Sequence, residues 1–176
     1  MRTRSRTQRG FTLIEVAVVA VIFAILIGSL LTRVVFYEEQ SERLAVKQTL
    51  GILRSAMDLQ MADRLLHPSL RPMSQLAGDN PMNWLAKLPP NYVGEFAAPK
   101  PGTIARGNWY FDTNDHTLVY LPTYGDHLQT APGENGRLRF HVRLSSGNTV
   151  GYAANASLNS SFSGVVLEPV RPYQWF

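Results

Sequence analysis

The sequence predicts an α+β fold, a ladle in which a long N-terminal helix, transmembrane in its first half, packs on a small antiparallel β-sheet head of about three to five strands. Three observations carry this reading. Residues 11–32 are almost uninterruptedly apolar. No proline stands between residues 11 and 66, and seven follow between residues 68 and 101. From residue 108 onward, short alternating segments are separated by turn residues.

The apolar stretch comes first in the chain and decides where the protein sits. Its roughly 22 residues suffice to cross a hydrocarbon core of about 30 Å, and Glu15 is the one charge within them. Arg2, Arg4, Arg6 and Arg9 precede it and account for the whole formal net charge of +4, leaving the remainder balanced. Basicity confined to such a flank favours a cytoplasmic N-terminus and an exported C-terminal part. It does not point to nucleic acid. With no cysteine, the head is held by its own core and not by a disulfide framework.

An ordinary secretory signal places its cleavage site after the apolar part, beside small residues. Here the distinctive residues lie before it, which leaves a single-pass anchor with an intact N-terminus or a precursor cut on the cytoplasmic side. Glu15 costs about 2.5 to 3.5 kcal/mol near the centre of a bilayer and less near an interface, so it asks for a partner or snorkels to the headgroups.

The residues Gly10-Phe11-Thr12-Leu13-Ile14-Glu15, after a short basic leader and before a span, resemble the processing motif of type IV pilins and of the pseudopilins of type II secretion. The resemblance is close over residues 1 to about 65. It implies cleavage between Gly10 and Phe11 by a membrane-embedded aspartyl peptidase, the prepilin peptidase, and methylation of the new amine of Phe11. It further implies that Glu15 guides assembly by pairing with the N-terminal amine of a neighbouring subunit. The partners implied are the prepilin peptidase, other pilin or pseudopilin subunits, an inner-membrane assembly platform and membrane lipid. The place implied is the bacterial inner membrane, with the leader cytoplasmic and the head periplasmic until a filament forms. Residues 1–10 are then a cleaved leader, 11–66 the long helix with 11–32 in the membrane, 67–108 a proline-rich connection and 109–176 the sheet head.

The long helix follows from the absence of a breaker before His67-Pro68. Its second half carries Val46, Leu50, Leu53, Met57, Met61 and Leu65 at steps of three and four, a stripe to be covered by the head, with Glu42, Arg43, Lys47, Arg54, Asp58 and Arg64 expected mostly on wet faces. Gly28-Ser29 interrupts the apolar half. Lacking the proline that many pilins carry late in this span, the chain offers Gly28 and Ser29 as the place for local melting on assembly.

Beyond the helix, Asn80 and Pro81 predict an N-cap and first turn of a short helix over residues 80–88, with Trp84, Leu85 and Leu88 inward. Residues 108–112, 113–116 and 117–121 read as strand, turn and strand, a hairpin that again resembles those of pseudopilins. The acidic turn lacks the sixth-position glycine of an EF-hand loop and has Thr123 where the bidentate glutamate belongs, so no metal site is assigned. Residues 137–144 alternate, placing Leu138, Phe140, Val142 and Leu144 on one face and Arg137, Arg139, His141 and Arg143 on the other. That basic row is either a solvated face or a binding surface. Residues 149–152 and 164–170 supply further strand candidates, and residues 155–163 an exposed loop.

Catalysis finds no support. His67, His116, His127 and His141 are scattered, and neither a glycine-flanked serine nor a phosphate-binding glycine loop occurs. The reading is therefore a non-enzymatic filament subunit without cofactor, a minor pilin or pseudopilin. A tip subunit whose head binds a ligand, DNA included, and an uncleaved membrane-anchored protein are the alternatives.

Overall fold

The computed structural model describes residues 11–67, 73–146 and 163–176. It divides into two compact units, Met1–Gln40 and Ser41–Phe176. Helix α1, Leu13–Leu66, runs through the boundary between them, as expected where 54 residues contain no proline.

In the first unit α1 is long and apolar enough to cross a membrane. Its large side chains, among them Leu13, Ile14, Val21, Phe23, Ile25 and Leu30, are exposed. A contiguous apolar surface of this extent is not left in water, since each such side chain gains about 1.5 to 3 kcal/mol on burial.

In the second unit, Val46, Leu50, Leu53 and Met57 of α1 are buried in the core and Met61 packs against it. The expected stripe fails at its end, for Leu65 is exposed and Arg64 is buried. The cause is helical phase. Each four-residue step advances about 40° around a helix of 3.6 residues per turn, so repeated steps of four carry Leu65 off the core face and bring Arg64 onto it.

The short helix expected over residues 80–88 is instead a 3₁₀ turn, Pro81–Trp84, ending at Leu85 in extended backbone. Asn80 caps it as expected, its Oδ1 accepting from the Met82 amide at 3.0 Å. Pro89 steers only Leu88 out of helical backbone, and the turn has already ended at Leu85, four residues before that proline. Trp84 and Leu85 pack against the core, whereas Leu88 is exposed. A second 3₁₀ turn, Met73–Leu76, precedes it and buries Leu76.

Among the described residues seven strands follow: β1 Tyr92–Phe96, β2 Asn108–Asp112, β3 Thr117–Leu121, β4 Leu128–Thr130, β5 Leu138–Ser146, β6 Ser163–Pro169 and β7 Tyr173–Trp175. The main sheet has the order β1-β2-β3-β5-β6, and β4 pairs with β7 in a separate two-stranded sheet. All pairs are antiparallel except β1 with β2. Strand β1 falls inside the expected proline-rich connection. Its burial alternates, but Val93 stands on the exposed side and Gly94, at φ 109°, on the inner one, so its residue types do not mark it. The strand candidate at 149–152 and all but the last residue of the loop at 155–163 lie outside the described residues.

The register settles the two faces. Trp109 pairs with Tyr120 and Phe111 with Leu118, Leu118 with Phe140 and Tyr120 with Leu138. All six belong to the core that also holds the α1 stripe, Met82, Val142, Val165 and Leu167. Trp109 is central, with ring centroids 4.7 Å from Tyr120 and 6.0 Å from Phe140. The other face carries Tyr110, Val119 and Arg139, which follow one another across β2, β3 and β5.

Candidate functional site

At the start of α1 the motif residues form a local hydrogen-bonded device. The Thr12 amide and hydroxyl both donate to Glu15 Oε2, at 3.2 and 3.3 Å, and the Glu15 amide donates to Thr12 Oγ1 at 3.3 Å. This is the reciprocal capping box, and it satisfies two of the helix's orphan N–H groups. It also gives the Glu15 carboxylate polar partners within its own chain. The threonine three residues before the glutamate was the signal. Phe11 stands just before the helix and is 81% exposed; Gly10 lies outside the described residues. Gly28 and Ser29 are helical and exposed, and a Cβ added at Gly28 meets nothing within 4 Å.

The basic row of β5 lies on an interior strand, flanked by β3 and β6, and acids match it. Arg139 forms a fork on Glu134, Nε to Oε2 and Nη2 to Oε1, both 2.8 Å, and reaches Asp115 Oδ2 through Nη1 at 3.3 Å. Arg143 Nη1 lies 2.8 Å from Glu168 Oε1, and His141 Nε2 lies 3.6 Å from the same oxygen. Arg137 donates through Nε to the Glu134 carbonyl at 3.2 Å. The hydrogen bonds from Arg139 hold the buried Glu134 carboxyl below its ordinary range against the opposing effect of burial, and those bonds raise Arg139 in turn. Burial pushes His141 below its ordinary value, with the Glu168 charge opposing and that of Arg143 adding to it. Arg139, His141 and Arg143 thus form a ladder paired with acids, unlike the open cationic stripe that nucleic acid requires.

The acidic turn is likewise engaged. Asp112 Oδ1 accepts from the amides of Ala98 at 3.1 Å and Asn114 at 3.0 Å, an Asx-type arrangement that shapes the β2–β3 turn.

Two features of α1 in the second unit were not read from the sequence. Glu42, expected on a wet face, accepts from Tyr120 Oη at 2.7 Å, the Thr123 amide at 2.7 Å and the Tyr124 amide at 2.8 Å. It ties the helix to the end of β3. Opposite the core stripe, Leu44, Ile52, Leu59 and Leu66 are all exposed. Their spacings of eight, seven and seven residues put them along one line of the helix. Ser55, on the same line, turns its hydroxyl back onto the Gly51 carbonyl at 3.2 Å, and the exposed Gln48 stands between Leu44 and Ile52.

Residues 5–31 match the family model described as the prokaryotic N-terminal methylation motif. Over 137 residues, 77% of this chain and 82% of its relative, the chain is 28% identical to type II secretion system core protein G of Klebsiella michiganensis. No solved structure gives a significant match. The methylation motif and this relative are both likenesses to the type IV pilin and pseudopilin family.

Proposed function

We propose that this chain is a non-enzymatic structural subunit, a minor pilin or pseudopilin, of a type II secretion or type IV pilus filament, assembled through α1. The prepilin peptidase cuts between Gly10 and Phe11 and the Phe11 amine is methylated. The subunit waits in the bacterial inner membrane with its head in the periplasm, and an inner-membrane assembly platform passes it into the filament.

The observation that carries the reading is the line of Leu44, Ile52, Leu59 and Leu66 on the helix face away from the head's own core. A helix serving one head needs one apolar face, and α1 has two. The two halves of α1 contribute differently to association. Residues in lipid gain little hydrophobic energy by exchanging lipid for another helix, whereas exposed leucines beyond the membrane gain about 1.5 to 3 kcal/mol each when a neighbour covers them. Glu15, held by Thr12 close to the helix start, sits where the amine of a neighbour's Phe11 and its own helix dipole both favour a carboxylate. Gly28 and Ser29, within the apolar half, are the place where local melting would admit closer helix packing.

The test is N-terminal sequencing combined with a filament assay on wild type and Glu15→Ala. An N-methylated Phe11 is expected in both, with filament yield reduced in the variant. An intact leader on membrane-extracted protein defeats the filament reading, and undiminished assembly of correctly cleaved Glu15→Ala removes Glu15 from it.

A further inference from the structure

We propose that the head carries a receptor cavity for a short acidic peptide segment bearing an apolar side chain. The cavity, of about 310 Å³, lies among the β1–β2 connection, the end of β3 and the turn before β5. That is the size of the smaller ligand pockets, room for one or two side chains. Lys100, Arg106 and Arg137 bring three cations to its lining, which among the described residues contains no carboxylate. Tyr110, Ile104 and Leu121 supply apolar surface beside them.

The two arginines are oriented by bonds that do not neutralise them. Arg106 Nη1 donates to the Pro122 carbonyl at 3.4 Å and Arg137 Nε to the Glu134 carbonyl at 3.2 Å, and a carbonyl orients a guanidinium while leaving its full charge in place. The neighbouring carboxylates pair directly with other arginines, Glu134 with Arg139 and Arg171 and Asp115 with Arg139, and the Glu134 charge is shared with Arg137 as well. Guanidinium forks so placed fit a carboxylate, and the apolar wall fits the side chain next to it.

A nucleic acid fits less well. Its repeating phosphates need a continued track of cations, and the arginines next along β5, Arg139 and Arg143, are already paired with Glu134 and Glu168. The cavity is a local anion site with an apolar pocket attached, which describes one or two acidic residues flanking an aromatic or aliphatic one.

The experiment titrates full-length protein in detergent micelles into a fluorescein-labelled peptide of alternating glutamate and phenylalanine, read by anisotropy. Saturable binding is expected, weakened about tenfold or more by raised salt and by Lys100→Glu/Arg106→Glu. Lys100→Gln is expected to weaken it in part. Both substituted side chains are exposed, and an unchanged circular dichroism spectrum establishes that the head is folded. A glutamine-phenylalanine analogue that binds equally, or charge reversal without effect, overturns the proposal. So does competition by inorganic phosphate or a single-stranded oligonucleotide as effective as that of unlabelled peptide, because the site then reads charge alone.

Discussion

Tyr120 donates its hydroxyl to Glu42 at 2.7 Å, and the same carboxylate takes the amides of Thr123 and Tyr124. Three donors from one end of β3 therefore converge on one helical side chain. The core stripe fixes how α1 lies against the sheet, but sliding along an apolar stripe is cheap compared with leaving three donors unmatched. Glu42 thereby sets the helix's axial position within the head.

Removing that acceptor strands its donors. Glu42→Ala is expected to cost about 1 to 3 kcal/mol of head stability, read as a lowered chemical or thermal midpoint, with Glu42→Gln in between because it keeps one acceptor oxygen. A midpoint for Glu42→Ala within error of wild type would mean that water replaces the contact without loss.

Burial, then the hydrogen bond and charge of Glu42, raise Tyr120 well above its ordinary value of 10.0. A raised acid binds its proton more tightly in the folded state, so its contribution is complete below about pH 10 and is lost as pH climbs toward the folded value. Wild type is expected to lose stability above pH 10, and Tyr120→Phe to lose less over the same range. An equally steep alkaline decline in Tyr120→Phe would assign it to Tyr92, Tyr110 and Tyr173, which burial also raises.

The Glu134 carboxyl behaves with the opposite sign. Its value is depressed from 4.5, chiefly by hydrogen bonds from Arg139, so its contribution is present above that pH and disappears as acid protonates the folded protein. Glu134→Gln is expected to be less stable than wild type at neutral pH by about 1 to 3 kcal/mol, with the gap narrowing below pH 4. A gap that stays constant from pH 7 to pH 3 would show that the side chain acts through packing.

What could be read from residues alone was whatever repeats or punctuates. The helix, the β2–β3 hairpin and the inward face of β5 each follow from a period or a turn, and the structure places them within a residue or two. Glu42 could not be found that way, because its partners are about 80 positions away and nothing local distinguishes it from a solvated glutamate. The acids that match the β5 row come from the β2–β3 turn, the turn before β5, and β6, so its charge balance is a property of strand order. Strand β1 is obscured by residue type, an apolar Val93 on its exposed side and Gly94 on its inner one. By contrast, the Thr12–Glu15 box is local, and the threonine three residues before the glutamate marks it in the sequence.

Gly107 is a sharp backbone test near the Glu42 contact. It sits at φ 81°, and a Cβ there would lie 2.8 Å from Thr123 Oγ1, while its amide donates to the Leu121 carbonyl. Gly107→Ala is expected to cost about 1 to 3 kcal/mol through strain and contact together. Adding Thr123→Ala should return only the contact part. Full recovery would show that the positive φ costs nothing.

The two apolar faces of α1 make separable predictions. Leu53 is fully buried in the head core, whereas Leu59 is exposed on the opposite line. Leu53→Ala is expected to lower head stability by about 2 to 5 kcal/mol, and Leu59→Ala to leave it within about 0.5 kcal/mol of wild type. Charge sharpens the contrast. Leu59→Glu puts a carboxylate on a surface that is wet in the isolated subunit, so folding and membrane extraction are unaffected, but in a filament the carboxylate must be desolvated against a neighbour's leucines. Assembly should fall steeply while the unfolding midpoint stays put. If Leu59→Glu and Ile52→Glu subunits enter filaments at wild-type yield, the second face of α1 is not an assembly surface, and its leucines need another explanation.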